Sequence, residues 1–236
     1  MSHRALIDRL LEELRPLTFG PPVAHVYNPL DYARNGYEAY STRFGNRPKE
    51  ILLVGMNPGP WGMVQTGVPF GDVAMVRDWM GLDVEITPPE SMHPKRPIRG
   101  FSCPRGEVSG RRLWGWAKRR YGPAERFFDR FFVGNYCPLA FIEESGRNRT
   151  PNDLKKEEKE PLFRACDRAL KRLAEYFSPR YVVGIGNFAA ERVSAVLGES
   201  SMTTGRILHP SPANPKANRN WVETVEQELS EIGIRL

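Results

Sequence analysis

The stretch "ILLVGMNPGPWGMVQTGVPFG", residues 51–71, opens with four consecutive apolar residues, Ile51 to Val54, and then changes character. From Val54 to Gly71 it carries five glycines and three prolines in 18 residues. A short apolar run bounded at once by Gly and Pro reads as a strand buried on both faces. Phe131–Val133, Tyr181–Val183 and Arg206–Leu208 read the same way. Helical stripes lie around them. Leu6, Ile7, Leu10, Leu11 and Leu14 form one, Phe163, Cys166, Leu170, Leu173 and Phe177 a second, and Val222, Val225, Leu229 and Ile232 a third. Strands alternating with helices predict an α/β fold whose four-stranded parallel sheet is covered on both faces.

In an open parallel sheet, ligands bind beyond the carboxyl ends of the strands. After the first run comes Gly55-Met56-Asn57-Pro58-Gly59-Pro60, and after the second Gly134-Asn135-Tyr136-Cys137-Pro138. After the third comes Gly184-Ile185-Gly186-Asn187, and after the fourth His209-Pro210-Ser211-Pro212. Two amides and an imidazole, Asn57, Asn135 and His209, are thereby placed at one end of the sheet, which makes a site hypothesis.

Composition narrows the class. The chain has 236 residues, and no stretch approaches the ~20 apolar residues of a membrane helix. A single domain over 1–236 is expected, with 1–25 as a helical extension packed on it and the Pro-rich stretch Thr87–Pro97 as a long functional loop. The N-terminal segment carries three acidic residues, Asp8, Glu12 and Glu13, instead of an unbroken apolar core. Export is therefore not expected, and a cytoplasmic protein is, nucleoid-associated in a bacterium or nuclear in a eukaryote. Cys103, Cys137 and Cys166 are odd in number and far apart, which fits a reducing compartment and offers neither a zinc nor an iron–sulfur framework. No metal and no cofactor are expected.

Net charge is +6, and the excess is concentrated: Lys95 to Arg120 holds nine basic residues and one acidic one, Glu107, with Trp114 and Trp116 inside the run. Basic side chains interleaved with aromatics suit a polyanion whose bases can stack, while a solvated helix face with buried tryptophans gives the same pattern. Two nucleotide motifs are weak. Gly184-x-Gly186-x-x-Ala189 mimics a dinucleotide fingerprint but follows the third strand and lacks the acidic residue about 20 positions on. The loop after Val54 contains no lysine, so it is no P-loop.

The first Gly-rich loop, together with "HPSPANPKANRNW" (His209–Trp221), resembles the single-strand-selective monofunctional uracil-DNA glycosylases of the uracil-DNA glycosylase superfamily. "GFSCPRGEVSGRRLWGW" (Gly100–Trp116), "GNYCPLAF" (Gly134–Phe141), "SGRNRTP" (Ser145–Pro151) and "YVVGIG" (Tyr181–Gly186) extend the likeness over most of the chain after residue 25. The resemblance implies that family's three-layer α/β/α sandwich. It implies removal of uracil from single- or double-stranded DNA by hydrolysis of the N-glycosidic bond, without strand cleavage, by a monomer. A shifted range including 5-hydroxymethyluracil, xanthine or hypoxanthine, and a non-catalytic damaged-DNA binder, are the alternatives.

Base removal sets three tasks: recognise a flipped uracil, stabilise the departing anion, and hold a water under C1′. On the resemblance, Asn135 reads the O4 acceptor and N3–H donor, and Phe70 stacks on the ring. Met56, Gly59 and Met63 border the base, the last two toward C5. His209 hydrogen-bonds O2, a preorganised donor of a kind worth ~10²–10³ in rate. Asn57 orients the water, since an amide cannot be its base. Pro210, Ser211, Pro212, Lys216 and Arg219 belong to a wedge loop, Pro210–Asn220, that enters the duplex. Ala213, where family members carry arginine, predicts a poorer plug for the vacated space.

Overall fold

Every residue of Ile51–Gly55 is buried, as a strand paired on both edges and covered on both faces requires. The computed structural model describes residues 2–46 and 48–236; Met1 and Arg47, which fall within the expected domain, lie outside the described residues. In chain order the elements are α1 (His3–Leu14), β1 (Val23–Tyr27), α2 (Pro29–Tyr32), α3 (Arg34–Phe44), β2 (Ile51–Gly55), α4 (Met63–Thr66), α5 (Val108–Tyr121), α6 (Ala124–Phe128), β3 (Phe131–Asn135), β4 (Ala140–Glu143), β5 (Asn148–Arg149), α7 (Lys156–Phe177), β6 (Tyr181–Ile185), α8 (Asn187–Leu197), β7 (Thr203–Ile207) and α9 (Ala217–Glu231).

Four parallel strands pair in the order β3-β2-β6-β7. Neighbouring residues of β3 show the layers. Phe131 stacks on Phe127 of α6, centroids 4.6 Å apart, beside Trp116 of α5. Phe132 points the other way, to Phe177 of α7 at 4.5 Å and Tyr40 of α3 at 5.0 Å. Side chains alternate across a strand, so these contacts place α5 and α6 on one face of the sheet and α3 and α7 on the other. This is the expected α/β/α arrangement. Trp114 and Trp116 are wholly buried, so the stacking reading of the basic run is corrected: both indoles belong to the core.

Three expectations about elements change. The fourth strand runs from Thr203 to Ile207 instead of Arg206–Leu208, and of its residues only Ile207 is buried. As an edge strand with a half-exposed face it needs no continuous apolar run. The N-terminal extension is helical only to Leu14, and Val23–Tyr27 already pairs antiparallel with β4. Finally, β1, β4 and β5 form a second, three-stranded sheet outside the four expected strands; its middle strand, β4, carries the buried apolar run Ala140-Phe141-Ile142. Tyr27 from this sheet anchors the loop over Thr87–Pro97, donating to Arg96 O at 2.7 Å and accepting from the His93 N–H at 2.7 Å.

Candidate active site

The register of the sheet assembles the site. Gly55, the last residue of β2, pairs with Asn135, the last of β3. The pairing continues beyond both strands: Tyr136 N–H donates to Gly55 O and Cys137 N–H to Met56 O, each at 2.9 Å. The Asn57 and Asn135 loops are thus tied together by backbone. Asn57 Nδ2 donates to Leu139 O at 3.2 Å. That bond takes one Nδ2–H and fixes the amide plane, which leaves Oδ1 as an acceptor for water. Asn135 Nδ2 donates to Met63 Sδ at 3.3 Å, fixing its amide so that Oδ1 is on the opposite side. Sulfur is a weak acceptor, and the second Nδ2–H stays available for a carbonyl such as O4.

Gly55 is required here by space. A Cβ on it would stand 2.4 Å from Asn135 Oδ1 and 2.6 Å from Phe70 Cε2. The recognition amide and the stacking ring therefore converge where the side chain of β2 is missing. Phe70 itself has φ +52°, a left-handed conformation rare for a bulky residue and costing on the order of 1–3 kcal/mol. Its carbonyl is held by Trp114 Nε1–H at 2.8 Å and by the Asp72 N–H at 2.8 Å, so the strained backbone is locked by the α5 side.

His209 lies two residues past β7, on the edge of the sheet. It crosses the end of β6 because Gly186, at φ +88°, leaves room: a Cβ there would meet His209 Cβ at 3.1 Å. The Ser211 N–H donates to His209 Nδ1 at 3.1 Å. Nδ1 is then an acceptor, so the proton resides on Nε2. Burial lowers the imidazole pKa to about 4, which keeps it neutral and an Nε2–H donor at ordinary pH. The glycines of the false dinucleotide motif are thus explained. Gly186 makes room for His209, and Gly184 lets the backbone of α8 approach, Ala190 N lying 2.2 Å from a hypothetical Cβ.

These groups surround one cavity of about 230 Å³, lined by Met56, Asn57, Gly59, Met63, Phe70, Asn135, His209 and Ser211 among others. Among the residues lining it there is no lysine. No described group of three or more His, Cys, Asp or Glu side chains could hold a metal ion. The wedge residues are placed differently. Pro210 is buried, and its carbonyl accepts from Arg112 Nη1 at 3.0 Å, which anchors the loop to α5. Ser211 lines the cavity and sets the His209 tautomer. Pro212, Ala213, Lys216 and Arg219 are exposed; a helical turn starts at Ala217 and breaks at Asn220, whose φ of −136° and ψ of 57° are not helical, so the regular part of α9 begins where the segment Pro210–Asn220 ends.

A family model for the uracil DNA glycosylase superfamily matches residues 42–230. The chain belongs to this superfamily. It is 45% identical over 228 residues, 96% of this chain and 82% of the other, to the single-strand selective monofunctional uracil-DNA glycosylase of Rattus norvegicus. The Bos taurus protein of the same description is also 45% identical over 228 residues, covering 84% of its length. The crystal structure of wild-type Pedobacter heparinus SMUG2 superposes with a TM-score of 0.68 over 97% of this chain and 98% of that one; at 18% identity this likeness concerns the fold.

Three residues of this glycosylase-superfamily site escape a reading of strand ends. Gln65, fully buried in α4, donates from Nε2 to Pro60 O at 3.0 Å and Pro97 O at 3.1 Å and accepts from the Arg99 N–H at 2.8 Å. One amide thus pins the Gly-rich loop to the Thr87–Pro97 loop. Glu107 lines the cavity and caps α5, accepting from the Ser109 N–H at 3.2 Å and from the Gly110 N–H. Burial pushes its carboxyl up, opposed by those two N–H groups. Arg112 completes the set: besides Pro210 it donates to Asn218 Oδ1 at 2.8 Å, while Asn218 Nδ2 donates to Pro212 O at 2.8 Å. A glutamine within "MVQTG" and an acid within a basic run carry no signal of such roles, since what matters is the carbonyls and N–H groups that folding leaves unpaired.

Proposed function

We propose that the protein flips uracil out of DNA and hydrolyses its N-glycosidic bond, leaving an abasic site in an intact strand. One observation carries the reading: Asn57, Asn135 and a neutral, Nε2-protonated His209 face a single cavity floored by Phe70. Uracil stacks on Phe70. Asn135 accepts from N3–H through Oδ1 and donates to O4 through Nδ2, a pattern that cytosine reverses. As the C1′–N1 bond breaks, its electron pair leaves with the base, and His209 Nε2–H donates to O2, where charge accumulates. The oxygen of a water held by Asn57 Oδ1 bonds to C1′, and its proton passes to solvent or the released base. Positioning carries much of such a reaction because uracil is a tolerable leaving group. With no lysine lining the cavity, no amine is placed to form a Schiff base at C1′, which supports base removal without strand cleavage.

The test is a gel assay with end-labelled oligonucleotides carrying single-stranded U, U opposite G, U opposite A, 5-hydroxymethyluracil, xanthine and hypoxanthine. Products should appear only after alkaline cleavage. His209→Ala should lower the single-turnover rate by ~10²–10³ while leaving binding of an abasic product intact. Unchanged excision in that variant would refute the assignment, and borohydride trapping of a protein–DNA adduct would refute the monofunctional course.

A further inference from the structure

Between α5 and the start of α9 runs a groove of about 480 Å³ that takes no part in the base cavity. Arg111, Arg112, Arg119 and Arg219 line it, against one acidic side chain, Glu223. Arg112 is already committed to the wedge loop through Pro210 O and Asn218 Oδ1. The other three are exposed. Arg111 has only a 3.9 Å contact with Asp72, and no ion pair among the described residues involves Arg119 or Arg219. Arg111 and Arg119 are eight residues apart on α5, about 12 Å along the axis and about 80° around it, and both line the groove. Arg119 lies back over Gly115, its Nη1 3.5 Å from where a Cβ would stand, which narrows that gap.

The position decides the partner. The loop His209–Lys216 separates the groove from the cavity. Its His209 and Ser211 face the cavity, whereas Pro210 and Asn218 are tied to the groove wall by Arg112. The strand that delivers its base to the cavity therefore lies on one flank of the loop. The tip, Pro212–Ala213, is exposed, and the groove lies on the Arg112 side of the loop. Exposed planar guanidiniums without a close carboxylate partner suit backbone phosphates, which each can bind in bidentate fashion.

We propose that this arginine groove binds the backbone phosphates of the undamaged strand and so serves double-stranded substrate specifically. The inference rests on the uracil-excision reading for its activity arm, and its binding arm stands apart from it. The variant is Arg111→Gln/Arg119→Gln/Arg219→Gln, with Arg112 kept because it holds the loop. The control is Arg9→Gln/Arg164→Gln/Lys171→Gln, exposed residues of α1 and α7, which removes the same charge from helices remote from the groove.

Two readouts apply: anisotropy of a uracil-free duplex and of a single strand across a salt series, and kcat/KM on U opposite G against single-stranded U. The groove variant should lose about two to three from the log–log salt slope for duplex, at ~0.9 per phosphate. Its duplex kcat/KM should fall on the order of 10–100-fold, with single-strand kcat/KM within about twofold. The control variant should move neither ratio. Equal losses on both substrates, or an unchanged duplex slope, would overturn the proposal. A wild-type protein inactive on every oligonucleotide would instead overturn the excision reading and leave the slopes to decide the groove.

Discussion

Gly55→Ala is the sharpest test of how the site is built. The added methyl would lie 2.4 Å from Asn135 Oδ1 and 2.6 Å from Phe70 Cε2, where ordinary contacts begin near 3.4 Å. The amide and the ring must together yield by about 1 Å, because β2 is hydrogen-bonded on both sides and cannot move as a unit. A misplacement of that size costs ~10²-fold in a reaction governed by positioning, or about 2.7 kcal/mol of transition-state stabilisation. Overpacking adds a stability cost of about 1–3 kcal/mol. The neighbouring Gly134 supplies the control, since a Cβ there meets only Leu173 Cδ2 at 3.4 Å, an ordinary contact. Gly134→Ala should therefore keep its activity. The assay is single-turnover excision of single-stranded uracil, with thermal melts to show that both variants fold. Excision by Gly55→Ala within threefold of wild type would refute the claim that recognition amide and stacking ring share the space above this glycine.

Other consequences follow from buried polar groups. His3 and His209 are both held neutral by burial, each pKa lowered from 6.5 to about 4. The folded state then binds fewer protons than the unfolded chain, so the stability from these groups is complete above pH 6.5 and is lost as pH falls toward 4, at most about 3 kcal/mol each. Excision should accordingly persist to about pH 5, whereas a catalytic inflection near 6.5 in the pH–rate profile would contradict a neutral His209. Glu107→Ala removes the cap of α5 and should cost about 1 kcal/mol, read as a drop of roughly 2–4 °C in Tm. Gln65→Leu leaves two carbonyls and one N–H unpaired in a buried loop; it should destabilise by about 3 kcal/mol and, by loosening the Gly-rich loop, lower kcat/KM more than a core truncation of similar Tm remote from the site, Leu162→Ala in α7, does.

The chain itself determines a good deal. Uninterrupted apolar runs at Ile51–Val54, Phe131–Val133 and Tyr181–Val183 specify buried parallel strands, because only strands covered on both faces tolerate such composition. With the strand direction set, the residues after each strand must meet at one end of the sheet, and Asn57, Asn135 and His209 do line one cavity. Where burial is partial the pattern fades. The strands Thr203–Ile207 and Val23–Tyr27 carry half-exposed or exposed positions, so apolar runs do not mark them, whereas Ala140-Phe141-Ile142 of the small sheet is a buried apolar run that the four-strand reading leaves out.

Only the folded chain decides the rest. Whether Trp114 and Trp116 meet bases or core, and that the Pro210 carbonyl is held by Arg112, depend on partners distant in sequence, while the proton on His209 depends on how the following loop turns its Ser211 N–H back onto Nδ1. Local sequence records which groups can donate, accept or pack. Tertiary structure sets which of them are left facing one another once every buried polar group has found a partner.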